Sequence, residues 1–219
     1  MKAANRSLLF LFSCLLLAQL ASAQNAPHFS PFTADMTLTS TSPQGGPRDA
    51  TGKIYVGSGH MRMNLSNEGH DIAMITDFAT QTVDVLMAQQ KMYLEQKAGQ
   101  THGRGPGANF SQELHAYDPE NPCAKQPDIT CKKIGVETVS GRTCDHWEIT
   151  DKKGKINNIW VDEKLHFPIK ATTPDTSILL SNVREGEPEA SQFQIPADYR
   201  KMDMSGMMPP GAAGPPPHN

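Results

Sequence analysis

The chain has 219 residues, and those able to do chemistry are its eight histidines, its cysteines and its eleven methionines. Their spacing is the first thing to weigh. His28, His60, His70, His102, His115, His146, His166 and His218 are scattered singly. There is no H-E-x-x-H, no C-x-x-C and no G-x-S-x-G, so neither a zinc site nor a nucleophile elbow is written here. His70-Asp71 and Cys144-Asp145-His146 are sequence neighbours, and on a strand adjacent side chains leave on opposite faces. The run Gly103-Arg104-Gly105-Pro106-Gly107 follows no strand and precedes no Lys-Ser/Thr, so it is not a phosphate loop. These patterns predict no catalytic residue, no metal site and no cofactor, and the chain does not read as an enzyme. Methionine leaves one alternative. Met202, Met204, Met207, Met208 and His218 share a tail rich in Gly and Pro, and soft thioethers suit Cu(I).

The elements that would position such residues come in runs of period two. Phe32, Ala34, Met36 and Leu38 alternate with Thr33, Asp35, Thr37 and Thr39. From Gly52 to Gln96 the alternation repeats: Ile54 and Val56, then Met61, Met63 and Leu65, then Ile72 and Met74. Val83, Val85 and Met87 follow, then Met92 and Leu94. Gly, Asn, Asp and Gln separate the runs, which predicts an antiparallel meander with one apolar face. Ile54, Val56, Met61, Met63, Leu65, Met74, Val85, Met87, Met92 and Leu94 are the residues expected to line a ligand cavity on that face. Unbranched thioethers there would repack around variable apolar ligands. Between Ala98 and Asp128 the pattern lapses. A short helix capped by Asn109, with Phe110, Leu114 and Tyr117 at i, i+4 and i+7, is expected to act as a lid. The ending EPEASQFQIPADY predicts one helical turn followed by an extended segment.

Targeting and composition set the bounds. Residues 1–23 carry Lys2 and Arg6, an apolar run from Leu8 and Ala21-Ser22-Ala23, the pattern of a cleaved secretory signal peptide. That run is too short for a comfortable transmembrane span. A single domain over 24–201 and a disordered tail over 202–219 are expected. Formal net charge is −3, which gives nucleic acid or anionic membrane no reason to bind.

After cleavage three cysteines remain, Cys123, Cys131 and Cys144. The run from Cys131 through Ser140-Gly141 to Thr150 reads as a tight hairpin that sets Cys144 opposite Glu137. Cys131 then lies about 20 Å away along the partner strand, beyond any disulfide. A Cys123–Cys131 bridge with a free Cys144 is expected in an oxidising compartment.

Trp160-Val161-Asp162, Pro168-Ile169-Lys170 and Phe193-Gln194-Ile195-Pro196 resemble motifs of the outer-membrane lipoprotein carrier (Lol) superfamily. The runs Gly52-Lys53-Ile54-Tyr55, Met61-Arg62-Met63 and Gln90-Lys91-Met92-Tyr93 look closer to a related exported bacterial family of unknown function. The resemblance implies a mainly β fold: a strongly curved antiparallel sheet, an unclosed barrel with one or two short helices, cupping an apolar cavity for acyl chains. It further implies a monomer in the periplasm or cell envelope of a Gram-negative-type bacterium, holding a lipid, an acyl chain or a lipidated protein. Two features depart from the carriers: residues 24–31 cannot form their plugging helix, and their lid helices are longer than Asn109–Tyr117. For their cavity arginine, Arg62 is a candidate only by its position among methionines. The alternatives to an acyl-binding protein are a copper-binding protein using the tail and an envelope structural or sensory module that binds a protein.

Overall fold

The computed structural model describes residues 29–42, 46–57, 59–67, 69–97, 118, 121–124 and 128–202. They form twelve strands: β1 Phe32–Ser42, β2 Gly46–Gly57, β3 His60–Asn67, β4 His70–Asp77, β5 Thr82–Met87 and β6 Met92–Lys97, then β7 Ile129–Val139, β8 Arg142–Asp151, β9 Ile156–Asp162, β10 Pro168–Thr172, β11 Thr176–Glu185 and β12 Arg200–Lys201. All lie in one sheet of order β12-β6-β5-β4-β3-β2-β1-β11-β10-β9-β8-β7. Two hairpin-linked meanders therefore meet at the β1–β11 pair. The first grows outward from β1; the second starts at the far edge with β7 and returns to β1.

The strongly curved sheet with one or two short helices does not form. The sheet is open, with β12 and β7 as separate edges, and the described residues hold no α-helix, only two 3₁₀ turns, Ala88–Gln90 and Ala190–Phe193. The pairings leave the two edges apart: β7 starts at the edge far from β6, and β12 pairs with β6, so among the described residues no ladder joins β7 to the other end of the sheet. The helix expected over 109–117 lies outside the described residues, as do the signal peptide and positions 203–219. The turn expected within EPEASQF is realised as the 3₁₀ turn Ala190–Phe193.

Local chemistry fixes the register. Gly59 and Gly69 adopt φ of +75° and +84° in the turns before β3 and β4, a region open to glycine at no steric cost. Ser140 and Gly141, at φ +51° and +76°, make the two-residue β7–β8 turn, and Glu137 stands opposite Cys144 as the turn length requires. Pro168 enters the sheet interior where the β9–β10 pairing is irregular, as a residue without an N–H must. Gly52 has a different reason to be glycine: a Cβ there would lie 1.9 Å from the Asn64 carbonyl oxygen.

One apolar cluster holds the sheet. Phe32, Ala34 and Met36 of β1, Ile54 and Val56 of β2, Met61, Met63 and Leu65 of β3 and Met74 of β4 are buried together with Phe78, Leu165, Phe167, Ile169 and Leu180. Phe29 packs edge-on against both Phe78 and Phe167, and Phe32 against Phe167, so aromatic rings tie the two meanders.

Candidate functional site

Pairing across the sheet shows where the expected cavity residues go. Ile54 faces Met63, which faces Met74, Val85 and Leu94 in turn; Val56 faces Met61; Leu65 faces Ile72, then Met87 and Met92. The ten residues thus share one face. Their environments differ, however. Ile54, Val56, Met61, Met63, Leu65 and Met74 are buried as core, whereas Val85, Met87, Met92 and Leu94 at the β5–β6 end are only partly covered. Phe110, Leu114 and Tyr117 lie outside the described residues, as does the methionine tail beyond Met202. Cys123 and Cys131 are joined by a disulfide with Cα atoms 5.8 Å apart, and Cys144 is free and buried. Burial pushes the Cys144 thiol up to about 11, the behaviour of a structural rather than a reactive cysteine.

The cleft of the first meander is on the opposite face. Asp35, Lys53, Asn64, Ala73 and Leu86 pair in sequence across β1 to β5, and Thr37, Thr51, Ser66 and Asp71 form the next row. With Arg62 and Tyr199 these residues line a cleft of about 650 Å³. Arg62 is therefore not a cavity arginine of the apolar face. Its Nε donates to Asn64 Oδ1 at 2.7 Å and its Nη1 to the Gln192 carbonyl at 2.9 Å. The second bond belongs to a strap, residues 187–202, that crosses this face. Phe193 of the strap stacks on His60, Asp198 pairs with Lys91, and β12 adds in parallel to β6. Ile75 and Leu86, which alternation assigned to solvent, are buried on this side. The signal was present in the sequence: Met74-Ile75 and Val85-Leu86-Met87 are continuous apolar runs, the mark of strands covered on both faces.

The motifs that carried the resemblance are structural. Asp162 is 2% exposed. It receives Arg142 at both oxygens and the backbone N–H groups of Lys164 and Leu165 at Oδ1, fixing the β9–β10 turn. Burial pushes its pKa up, but the Arg142 bond and the two backbone donors hold it below the usual carboxylate range. Arg142 in turn is raised by Asp162 and reaches Glu185 at 2.8 Å. Trp160 stacks on His146 with centroids 4.3 Å apart, while Lys170 Nζ sits 4.2 Å from a Trp160 ring centroid. Glu137 accepts from Trp160 Nε1, and its second oxygen faces His146 Nδ1. Those contacts occupy the one histidine that, among the described residues, stands near both a carboxylate and an indole. No group of three or more His, Cys, Asp or Glu side chains could hold a metal among the described residues, and none of their helices could cross a membrane.

The two edges of the sheet are unlike. β6 is paired at Met92 and Tyr93 by the two-residue β12, with Lys201 paired to Glu95. β7 runs eleven residues and has no outer partner among the described residues. It shows Ile134 at 45% and Val136 at 56% exposure.

Fold and site define a single-sheet, mainly β domain with a packed apolar face and, among the described residues, an unpaired edge at β7. Residues 32–167 match the family described as Domain of unknown function (DUF4412), and the chain belongs to that family. No curated protein matches it. Among solved structures, an uncharacterized conserved protein from Thermus thermophilus superposes with TM-score 0.51 at 7% identity, covering 87% of this chain and 98% of that one. The Pseudomonas aeruginosa MucA/MucB complex gives TM-score 0.46 at 16% identity over 83% of this chain and 60% of that chain. The LolA superfamily protein NE2245 from Nitrosomonas europaea gives 0.37 at 10% identity over 81% and 96%. The resemblance to the lipoprotein-carrier group is thus distant, and it stops short of carrier identity.

Proposed function

We propose that this is an exported, non-catalytic module of the cell envelope that holds an extended segment of a partner protein along β7. One observation carries the reading. Among the described residues β7 is a long edge without an outer partner, with Ile134 and Val136 exposed, while the other edge is capped in part by the chain's own β12. Natural sheets blunt or cover such edges unless pairing is wanted, and strand addition is a standard mode of peptide recognition. The irregular pairing between Lys133 and Gly135 and the two lysines at 132 and 133 guard against self-pairing without closing the edge. Export rests on the signal-peptide pattern of residues 1–23.

The test is a photo-crosslinking residue placed at Val136 in cells of the source organism. A discrete protein adduct is expected, lost when Ile134 is changed to Lys and absent when the crosslinker sits at exposed Lys153. No adduct at Val136, or the same adducts at both positions, would sink the reading.

Acyl binding keeps one supporting observation. Val85, Met87, Met92 and Leu94 form a partly exposed apolar patch at the β5–β6 end. Native mass spectrometry of gently purified protein distinguishes the two readings, since only the second requires bound lipid.

A further inference from the structure

We infer that the cleft on the polar face is a binding site for a small hydroxy acid, with Arg62 as the group that takes its carboxylate. This is independent of the β7 reading. Arg62 is half-buried, and among the described residues it has no carboxylate partner. Pinning the strap through the Gln192 carbonyl and meeting the Asn64 amide uses part of the guanidinium's donors and none of its charge. Burial holds its pKa below the usual arginine value, with Tyr55 and Tyr199 offsetting this only in part. By contrast, the neighbouring cation in the cleft, Lys53, is already bonded to Asp35 at 2.6 Å. A half-buried cation facing a cleft of about 650 Å³ selects an anion, and a planar fork suits a carboxylate.

The rest of the lining narrows the class. Thr51, Asn64 and Ser66 present hydroxyl and amide groups along the cleft, over about 13 Å of strand from Arg62 to Ser66. These suit a hydroxylated body rather than an acyl chain. Asp35, already paired with Lys53, and Asp71 also line the cleft, so its lining carries as many carboxylates as cations, and repulsion that grows with anion charge favours a monoanion over a dianion such as phosphate. Tyr199 of the strap closes one side, and the strap is held to the sheet by Arg62 itself.

The experiment uses the folded mature protein labelled with nitrogen-15 and titrated with D-gluconate, D-lactate, inorganic phosphate and glucose. Saturable shifts of the Arg62 side-chain Nε–H and of the Thr51, Asn64 and Ser66 amides are expected with the two acids. They should be weaker with phosphate and absent with glucose. Asn64→Asp is the decisive variant. It keeps the shape of the Arg62 contact but supplies an internal carboxylate, so the fold is kept while affinity for the acids falls roughly tenfold or more. Arg62→Met should abolish the shifts; if it fails to fold, Asn64→Asp still decides. Absence of a saturable shift with either acid, phosphate binding as tightly as gluconate, or undiminished binding in folded Asn64→Asp would each overturn the inference.

Discussion

Removing the Asp162 carboxylate is the sharpest test of how this sheet is held. Asp162 has a 2% exposed side chain, and its partner Arg142 is 16% exposed. Asp162→Ala leaves Arg142 with only Glu185, a half-exposed carboxylate, and deprives the N–H groups of Lys164 and Leu165 of their acceptor. Breaking a buried pair from one side costs about 3–5 kcal/mol. Glu185 remains in place and Lys164 reaches water, so the lower end, about 3 kcal/mol, is expected. Asp162→Asn keeps an oxygen for the two amides and loses the charge, so a loss of about 1–2 kcal/mol is expected. Urea denaturation of the three proteins at neutral pH measures both values, and the difference between variants reports what a neutral oxygen at this position still gives the turn amides and Arg142. The pH dependence gives a second handle. Because the folded pKa of Asp162 is depressed, its stabilisation is fully present above the unfolded carboxylate value, about pH 4. It is lost as pH falls through the folded value, so the gap between wild type and Asp162→Ala must narrow in acid. Equal stability of all three at neutral pH, or a gap that does not change with pH, would refute the reasoning.

Other outcomes follow from the same physics. Gly52→Ala should destabilise strongly or abolish folding, since its Cβ would strike the Asn64 backbone, which cannot swing aside as a side chain could; thermal melting decides this. Asp84 is half-buried with an oxygen that has no partner, and burial and Glu95 raise its pKa. Asp84→Asn should therefore raise the melting temperature at neutral pH, with the advantage fading as acid protonates Asp84 in the parent. The Cys144 thiol, buried and raised to about 11, should resist iodoacetamide in native protein and react at once in urea.

The strands were legible because period-two alternation is a local property. Phe32 to Leu38 and Ile54 to Leu94 declare which face is apolar without reference to any partner. The Ser140-Gly141 turn likewise sets its own register, since two left-handed residues admit few hairpins. What could not be read is non-local. Nothing near Leu38 or Ile178 says that they face each other across β1 and β11, so the way the two meanders join was invisible. The strap was missed for the same reason: Gln192 reaches Arg62 across 130 positions. Its trace survives only in the extra apolar residues Ile75 and Leu86. Arg62 was noticed for its methionine neighbours, yet those point to the other face. Alternation itself, applied to Met61-Arg62-Met63, would have placed it among Asn64 and Lys53.

On this reading β7, rather than the apolar face, carries the partner. The direct measurement compares wild type, Ile134→Lys/Val136→Lys and Met92→Asp, each recovered from the envelope of its own cells under gentle conditions. Mass spectrometry then reads both the co-purifying protein and the bound lipid. One stoichiometric protein partner is expected with wild type and Met92→Asp, lost from the β7 variant, and no stoichiometric lipid on any of them. A stoichiometric acyl chain on wild type and on the β7 variant, lost from Met92→Asp, would contradict it.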